Sequence, residues 1–286
     1  MNNKNTIIYA VVVTYNRKFI LKRCINALLA QSLKPDGIII IDNSSTGSTE
    51  KLVAKEFRNN TNITYKRLDK NAGGAGGFYY GAKLAIERGA DWIWMMDDDC
   101  VPDKDCLMNL MNGVEDKRDA YSPIILSLED KRTVLWGIKA KPYTGKYKDI
   151  SLPFNGFLVH RETVQEIGFP DKRFFIYGDD TDYNLRVKTS GKNIIMNTDS
   201  IMYHPFKNQV AGLNFLKMFM SRIWVYYKLR NAIIIYKKYG HYAYKQILLL
   251  VLALFFHILT LKFNMIKLWL DGLIDGLKNK LYVRDL

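Results

Sequence analysis

The stretch WIWMMDDDCVP, residues 92–102, runs five apolar residues directly into three consecutive aspartates. The apolar part is short and continuous, which predicts a buried strand. Three adjacent carboxylates at the end of a strand repel one another and lose favourable hydration. We therefore expect a positively charged group beside Asp97, Asp98 and Asp99.

Strand and helix patterns alternate on the N-terminal side of this stretch. Strands are predicted at 7–13, 37–45 and 62–68. Helices are predicted at 18–31, at 48–57, and from the end of a glycine-rich turn at 71–78 to about residue 88. Such alternation with short connections predicts an α/β fold in which helices cover both faces of a parallel sheet.

The alternation is less regular after residue 120. Short strands are predicted at 121–126, 134–138, 155–160 and 193–197, and helices at 161–167 and 179–190. From residue 211 the pattern becomes helical and rich in lysine and aromatic residues. We therefore predict a catalytic or binding domain over 1–210 and a C-terminal helical extension over 211–286.

Polar residues follow each of the four predicted N-terminal strands. Ligands of such sheets bind at the carboxyl ends of the strands, so we expect one shared site at this edge. The residues concerned are Thr14, Asn16, Arg17, Asp42, Asn43, Asn71, Gly73, Gly74, Asp97, Asp98 and Asp99.

Asp97 and Asp99 are candidate metal ligands. Carboxylates two residues apart on an extended segment project to the same side. Mg²⁺ is commonly held by one or two carboxylates, and Mn²⁺ also accepts an imidazole such as that of His204. The alternative is helix capping, which explains the later Asp103 and Asp105 but not the triplet. A lone histidine is also more often structural than metal-binding.

A second acidic cluster follows Gly178. Asp179, Asp180 and Asp182 lie where a helix is predicted to begin, and the helix dipole favours ionised carboxylates there. Capping of the helix accounts for one acid, not for all three. A carboxylate facing a ligand site could act as a general base on a hydroxyl group.

The glycines at 73–77 have two interpretations. They could let backbone N–H groups approach a phosphate at a helix start, or they could form a flexible turn. The cluster is neither a dinucleotide-binding nor a P-loop motif, and a nucleotidyltransferase would carry its glycine loop nearer the N-terminus.

The net charge of +14 predicts an anionic partner such as a phosphate-bearing substrate, a membrane surface or nucleic acid. Nucleic acid is disfavoured because five aspartates lie between residues 91 and 103. The three cysteines form no CxxC pair, which favours reduced thiols.

The apolar run at 247–261 has 15 residues and is flanked by lysines. A membrane-spanning helix needs about 20 residues. Three alternatives remain open: a helix lying in the membrane interface, a helix buried in a homodimer or against the core, and a short membrane span.

Several of these motifs, taken in order, resemble the glycosyltransferase family 2 enzymes with the GT-A fold, a resemblance that implies a mixed sheet with helices on both faces. Within that family they are most similar to bacterial galactofuranosyltransferases and rhamnosyltransferases. The motifs are VVVTYNR (11–17), IIIIDNSSTGST (38–49), NAGGAGGF (71–78), WMMDDDCVP (94–102), FFIYGDDTDYNLR (174–186) and YHPF (203–206).

The resemblance implies a role for each candidate residue. Asp97, Asp99 and His204 would bind Mn²⁺ or Mg²⁺ and, through it, the UDP diphosphate, with Asp98 near the donor sugar. Asp180 would be the catalytic base, with Asp179 helping to hold the acceptor. The uridine would lie against Thr14, Asn16, Arg17, Asp42 and Asn43, and the donor against the loop containing Asn71, Gly73 and Gly74.

The implied activity is an inverting, metal-dependent transfer of galactofuranose from UDP-galactofuranose to a lipid-linked glycan in bacterial surface-polysaccharide (O-antigen or capsule) assembly. A rhamnosyltransferase using dTDP-rhamnose is the alternative. The N-terminal β-sandwich and long C-terminal helical domain of polymerising members have no counterpart in this sequence, which favours transfer of single residues. The basic, apolar tail predicts a peripheral protein at the cytoplasmic face of the inner membrane, with a homodimer through the C-terminal helices as a further expectation.

Overall fold

The computed structural model describes residues 6–136, 144–148, 152–206, 217–240 and 244–284. Their strands lie in one sheet, and its first four strands by sequence overlap the predicted segments. The strands are β1 (Ile8–Thr14), β2 (Gly37–Asp42), β3 (Ile63–Arg67), β4 (Trp92–Asp97), β5 (Val101–Pro102), β6 (Ala120–Ser127), β7 (Lys146–Lys148), β8 (Phe157–His160) and β9 (Ile194–His204).

Helices connect the strands and form the C-terminal region. A 3₁₀ turn (Lys172–Phe174) precedes the sixth helix. The helices are α1 (Lys18–Leu29), α2 (Ser48–Glu56), α3 (Gly73–Glu87), α4 (Cys106–Asn112), α5 (Arg161–Ile167), α6 (Asp179–Thr189), α7 (Arg222–Tyr239), α8 (Tyr244–Leu259) and α9 (Phe263–Leu277).

The sheet is mixed, with the order β3-β2-β1-β4-β8-β6-β9-β5 and with β7 beside β9. Strands β1 to β4 are parallel, whereas β8 runs antiparallel to β4 and β6. Thr14 pairs with Asp42 and Val13 pairs with Asp97. The polar ends of β1, β2 and β4 therefore meet at one edge of the sheet.

Helices cover both faces of the sheet, as the sequence predicts. Successive side chains of a strand point to opposite faces. Val12 packs in one core cluster with α1, α2 and α4, while Val11 and Val13 pack in the other with α3, α5 and α6. The three cysteines are buried and unpaired.

The glycine-rich stretch predicted as a turn is largely helical, because α3 begins at Gly73. Glycine costs about 1 kcal/mol relative to alanine inside a helix. Here the absence of a side chain permits close packing: a Cβ on Gly77 would lie 2.4 Å from Val13 Cγ1, and one on Gly81 would lie 2.2 Å from Val11 Cγ1. Close packing of α3 on the sheet therefore outweighs the low helix propensity.

Two further predictions differ from the structure. Strand β9 continues from the predicted 193–197 to His204. In the predicted strand 134–138, Val134 forms an isolated bridge with Leu126, and residues 137 and 138 lie outside the described residues. The predicted domain boundary at 210/211 also lies outside them.

The C-terminal helices form a separate apolar cluster, against which Tyr177 packs. Tyr226 of α7 donates a hydrogen bond to Asp275 of α9 at 2.7 Å, and Trp269 Nε1 donates to the Leu250 carbonyl at 2.8 Å. Helix α8 has 16 residues. In the described part of the chain, no helix combines the length and apolar character needed to cross a membrane.

Candidate active site

A pocket of about 420 Å³ opens at the carboxyl edge of the sheet. Strand ends form one side of the pocket, and the segments before α6 form the other. It brings together many of the residues predicted from the sequence. These are Thr14, Arg17, Asn43, Asn71, Gly73, Gly74, Asp97, Asp179 and Asp180.

Arg17 is the positive group that the aspartate triplet requires. Its Nη2 lies 2.9 Å from Asp98 Oδ1, and its Nη1 donates to Asp99 Oδ2 at 2.7 Å. Asp98 is fully buried and also accepts a hydrogen bond from Thr14 Oγ1 at 2.6 Å. Burial raises the pKa of Asp98 to about 6, although Arg17 and Thr14 oppose the shift.

Asp99 also contacts His204, the residue at the end of β9. His204 Nε2 lies 3.1 Å from Asp99 Oδ1. Burial favours a higher pKa for Asp99, but His204 and Arg17 outweigh it and lower the pKa to about 2. Burial would lower the pKa of His204, but the contact with Asp99 raises it. The structure thus joins two residues predicted as metal ligands across 105 positions of sequence.

Asp97 is the member of the triplet that forms no ion pair with Arg17. Its carboxylate faces the pocket and receives no hydrogen bond or ion pair from the described residues. Burial and the charges of Asp99 and Asp98 raise the pKa of Asp97 to about 8. A cation bound here would relieve this repulsion.

The donor set fits a hard divalent cation, since two carboxylates and an imidazole suit Mn²⁺ or Mg²⁺. Within the ranges that the structure describes, no three His, Cys, Asp or Glu side chains are arranged to hold a metal ion. Arg17 and His204 hold Asp99 in the present arrangement. Binding by Asp97, Asp99 and His204 together therefore requires their side chains to move, and the metal site stays a prediction.

The amides of Asn43 and Asn71 fix the start of α3 at the pocket. Asn43 Nδ2 donates to the Gly73 carbonyl at 3.0 Å, and Asn71 Oδ1 accepts from the Gly73 N–H at 2.8 Å. Gly73 has φ 70°, and a Cβ there would lie 1.9 Å from the Phe175 carbonyl oxygen. Gly73 is therefore one point at which the two sides of the pocket touch, next to the Ala75 N–H, which donates to the Phe175 carbonyl at 3.1 Å.

Asn16 and Asp42 lie outside the pocket lining. Asn16 Oδ1 accepts from the Thr46 N–H at 2.9 Å. Asp42 is fully buried and accepts hydrogen bonds from the Ser45 N–H and from the Tyr65 hydroxyl. Both side chains hold strand-end loops in place in this structure, and their predicted contact with a uridine stays a prediction.

Asp179 and Asp180 begin α6 and face the pocket. Gly178, with φ 90°, turns the chain into the helix. Burial and the charge of Asp180 raise the pKa of Asp179 to about 8. Burial also raises the pKa of Asp180, whose Oδ1 accepts from the Thr181 N–H at 2.6 Å. A buried carboxylate with a raised pKa is suited to take a proton near neutral pH.

Asp182, the third acid of this cluster, lies outside the pocket lining. It is buried and accepts hydrogen bonds from Arg186 Nε at 2.9 Å, Lys238 Nζ at 2.9 Å and the Tyr239 hydroxyl at 3.0 Å. Its contacts tie α6 to α7, which is a structural role.

Apolar residues complete the pocket, and the sequence analysis did not single them out. Phe175 and Ile176 belong to the aromatic run before Gly178, which was a signal available in the sequence. Ile223 comes from α7, and no local pattern connects it with the strand ends. The apolar lining includes Phe78, Pro153, Phe154, Phe175, Ile176 and Ile223.

Comparison with known proteins identifies the class to which this fold and site belong. The model of the family described as "Glycosyl transferase family 2" matches residues 9–177. The chain belongs to glycosyltransferase family 2, as its motifs predicted.

Curated relatives include two galactofuranosyltransferases named GlfT1. The chain is 33% identical to that of Mycolicibacterium smegmatis over 203 residues, covering 65% of this chain and 66% of the relative. It is 33% identical to that of Mycobacterium tuberculosis over 215 residues, covering 69% and 70%. The chain thus spans about two thirds of the length of these relatives. It is also 23% identical to the dTDP-rhamnosyl transferase RfbF of Shigella flexneri over 254 residues, covering 82% and 81%.

Solved structures establish the fold as GT-A. One similar structure is that of GalNAc-T7 with UDP, GalNAc and Mn²⁺, with a TM-score of 0.62 and 17% identity over 72% of this chain and 45% of the other. Another is that of TarS from S. aureus, with a TM-score of 0.53 and 14% identity over 77% and 40%. The predicted mixed α/β sheet with a C-terminal helical extension is confirmed.

Proposed function

We propose that this glycosyltransferase moves galactofuranose from UDP-galactofuranose to a hydroxyl of a lipid-linked glycan in bacterial surface-polysaccharide (O-antigen or capsule) assembly. The similarity to the GlfT1 galactofuranosyltransferases supports this donor. The observation that carries the reaction type is the single pocket in which Asp97 faces Asp179 and Asp180.

The strand ends would bind the donor. Arg17 suits a diphosphate because it supplies positive charge, and Gly74, in the first turn of α3, lines the same pocket near the N-terminal end of a helix. Asp97, Asp99 and His204 would hold Mn²⁺ or Mg²⁺. A bound divalent cation stabilises the charge that develops on a leaving diphosphate.

Asp180 would act as the base of a single displacement. Its carboxylate accepts the proton of the acceptor hydroxyl while the hydroxyl oxygen forms a bond to the anomeric carbon. The bond from that carbon to the diphosphate oxygen breaks, UDP leaves, and the configuration inverts. Asp179 holds the acceptor beside Asp180, and the apolar wall around Phe154 and Phe175 keeps competing water away.

Release of UDP from UDP-galactofuranose, measured with and without Mn²⁺, tests this proposal. We expect release that depends on the metal, and none from UDP-galactopyranose as the matched control donor. If UDP-galactofuranose is not turned over under either condition while another nucleotide sugar is, the proposed donor is wrong.

Rhamnosyl transfer from dTDP-rhamnose is the second candidate. The similarity to RfbF favours it, since that relative matches a larger share of the chain than the GlfT1 proteins do. The same assay with dTDP-rhamnose distinguishes the two donors, and the proposed roles of Asp97, Asp99 and Asp180 are the same for both.

The C-terminal helices would bind an anionic membrane at the cytoplasmic face of the bacterial inner membrane. Four apolar residues lie on one face of α8 and are more than half exposed: Leu248, Leu252, Phe255 and Leu259. The stripe continues at Leu261 and Phe263, beside Lys262 and Lys267. In peripheral membrane helices, apolar side chains typically enter the membrane interface, and neighbouring lysines contact the acidic headgroups. An enzyme bound to the membrane through this surface would lie next to a lipid-linked acceptor.

Vesicle binding tests the membrane surface. Replacing Leu252 and Phe255 by serine should weaken binding to vesicles with acidic lipids at least about tenfold, because two apolar side chains no longer leave water. Phe19→Ser, an exposed apolar residue on α1, is the control and should bind normally. Unchanged binding of the double variant contradicts the proposal. A dimer that dissociates on this substitution would instead assign the stripe to a homodimer.

A further inference from the structure

The backbone directly before the acid pair has an unusual conformation. Phe175 has φ 66° and ψ −66°, and the Ile176 N–H donates to the Phe174 carbonyl at 2.8 Å. This is the rare, strained form of a γ-turn. Tyr177 and Gly178 follow with φ 65° and 90°. Bulky residues seldom adopt positive φ, so surrounding contacts must hold this segment.

Those contacts come from Asn231, a buried residue of α7. Its Nδ2 lies within hydrogen-bond distance of three carbonyl oxygens: Phe174 at 3.1 Å, Ile176 at 2.9 Å and Tyr177 at 2.6 Å. The amide therefore faces three carbonyl groups of the strained segment. Its N–H groups are donors for these carbonyls, and the Phe174 carbonyl also accepts from Arg230 Nη2 and the Ile176 N–H.

Arg230, the preceding residue, fixes the orientation of this amide. Its Nε donates to Asn231 Oδ1 at 2.8 Å, so the Nδ2 of Asn231 must point toward the segment. Arg230 Nη2 also donates to the carbonyl of Phe174 at 2.9 Å, and Nη1 donates to that of Tyr282 at 2.6 Å. Arg230 thereby connects the end of the chain to the segment that leads into the acid pair.

We propose that Asn231, oriented by Arg230, is a positioning residue that holds residues 174–178 so that Asp180 faces the acceptor hydroxyl. The inference rests on the proposed role of Asp180 as the base. It makes the C-terminal helical region part of the catalytic apparatus and not only an anchor. Asn231 touches neither the pocket nor the reacting atoms, so its effect is transmitted through the backbone.

The test uses two variants of the full chain. Asn231→Asp keeps the shape and places carboxylate oxygens opposite the three carbonyls, while Asn231→Ala removes the donors. We expect kcat for UDP release from UDP-galactofuranose, or from dTDP-rhamnose if that is the donor, to fall about 10- to 100-fold, because small displacements of a catalytic group cost this much. The affinity for UDP should stay within about twofold, since the strand ends that bind it are untouched.

Trp269→Phe is the matched control. It removes a buried hydrogen bond inside the same helical region, from Trp269 Nε1 to the Leu250 carbonyl, and this bond involves no atom of residues 174–178. Its kcat should equal that of the wild type even where its unfolding midpoint falls as far as that of the Asn231 variants. Equal losses of kcat in all three variants would mean a general effect of instability and would overturn the proposal.

Hydrogen exchange separates this proposal from the proposed function. Backbone amides of residues 173–181 should exchange faster in the folded Asn231 variants, with the sheet unchanged. Folded variants with normal kcat overturn the role of Asn231. Full turnover by Asp180→Asn overturns the proposed function instead. If the wild type turns over neither donor, the proposed function is wrong. Hydrogen exchange then tests Asn231 without any activity assay: unchanged exchange of residues 173–181 in the Asn231 variants would overturn its role in holding this segment.

Discussion

The two sides of the pocket are built in different ways. The strand-end side consists of residues that directly follow or end parallel strands, such as Thr14, Asn43 and Asp97. The loop side comes from segments without a common strand register and includes Phe154, Phe175, Ile176, Asp179, Asp180 and Ile223. Parallel pairing alone brings the first group together, whereas the second depends on buried contacts with α7.

The two sides of the pocket therefore suit different chemical steps. The strand-end side carries a concentration of negative charge that Arg17 only partly balances, which suits a site that gains a cation and a diphosphate. The loop side carries two acids with raised pKa values in an apolar wall, which suits proton transfer. The predictions below test whether the two sides act separately.

The largest effect is expected from Asp180→Asn. Loss of the base should lower kcat about 10²- to 10⁴-fold, the usual contribution of a positioned general base. Steady-state UDP release measures it. Asp119→Asn is the control, because Asp119 is also buried but accepts its hydrogen bonds from Asn193, outside the pocket lining. The control should have the kcat of the wild type. A wild-type kcat in Asp180→Asn would contradict the proposed role of the loop side in proton transfer.

An intermediate effect is expected where the two sides touch. Gly73→Ala should lower the free energy of unfolding by at least about 2 kcal/mol, because φ 70° is strained for alanine and the new Cβ meets the Phe175 carbonyl. Urea unfolding measures it.

Gly74→Ala is the neighbouring control for this prediction. A Cβ at Gly74 has nothing within 4 Å, so the substitution should leave stability unchanged or raise it by about 0.5–1 kcal/mol within the helix. Equal stability of the two variants would mean that the sides of the pocket are not in contact in solution.

The smallest effect is expected from Arg17→Ala on the strand-end side. Removing the partner of the buried Asp98 should lower the free energy of unfolding by about 1 kcal/mol at pH 8, because Arg17 is partly exposed and its ion pairs are screened.

The sign of the pH dependence follows from the pKa of Asp98, which is about 6. At pH 5 this carboxyl is largely protonated and needs no cation, so the loss should be smaller than at pH 8. Paired urea titrations at the two pH values check this. A loss that grows toward pH 5 would contradict the assignment of Arg17 as the partner of a buried carboxylate.

The strand-end side could be predicted from the sequence because its determinants are local. Apolar runs ending in Thr14, Asp42 and Asp97 predict strands, and parallel pairing then fixes where their ends lie. The helical glycines could not be predicted in this way. Their reason is the close approach of α3 to Val11 and Val13, which only the packed structure reveals.

The loop side could be predicted only in part. Asp179 and Asp180 stand out by their charge after an apolar run, and the structure places both at the pocket. Ile223 and Asn231 do not stand out, because one is an apolar residue and the other a single polar residue in a helical tail. Asn231 contacts carbonyl groups 54 to 57 positions away, and Ile223 lines the pocket with residues more than 40 positions away, which no local pattern records.

One measurement tests the central claim, that the two sides bind donor and remove the proton separately. The affinity for UDP with Mn²⁺ and the rate of UDP release would be determined for the wild type, Asp99→Ala and Asp180→Asn. We predict that Asp99→Ala loses the Mn²⁺-dependent part of UDP affinity, while Asp180→Asn binds UDP normally and loses turnover. Equal loss of affinity in both variants, or normal turnover by Asp180→Asn, would contradict the account.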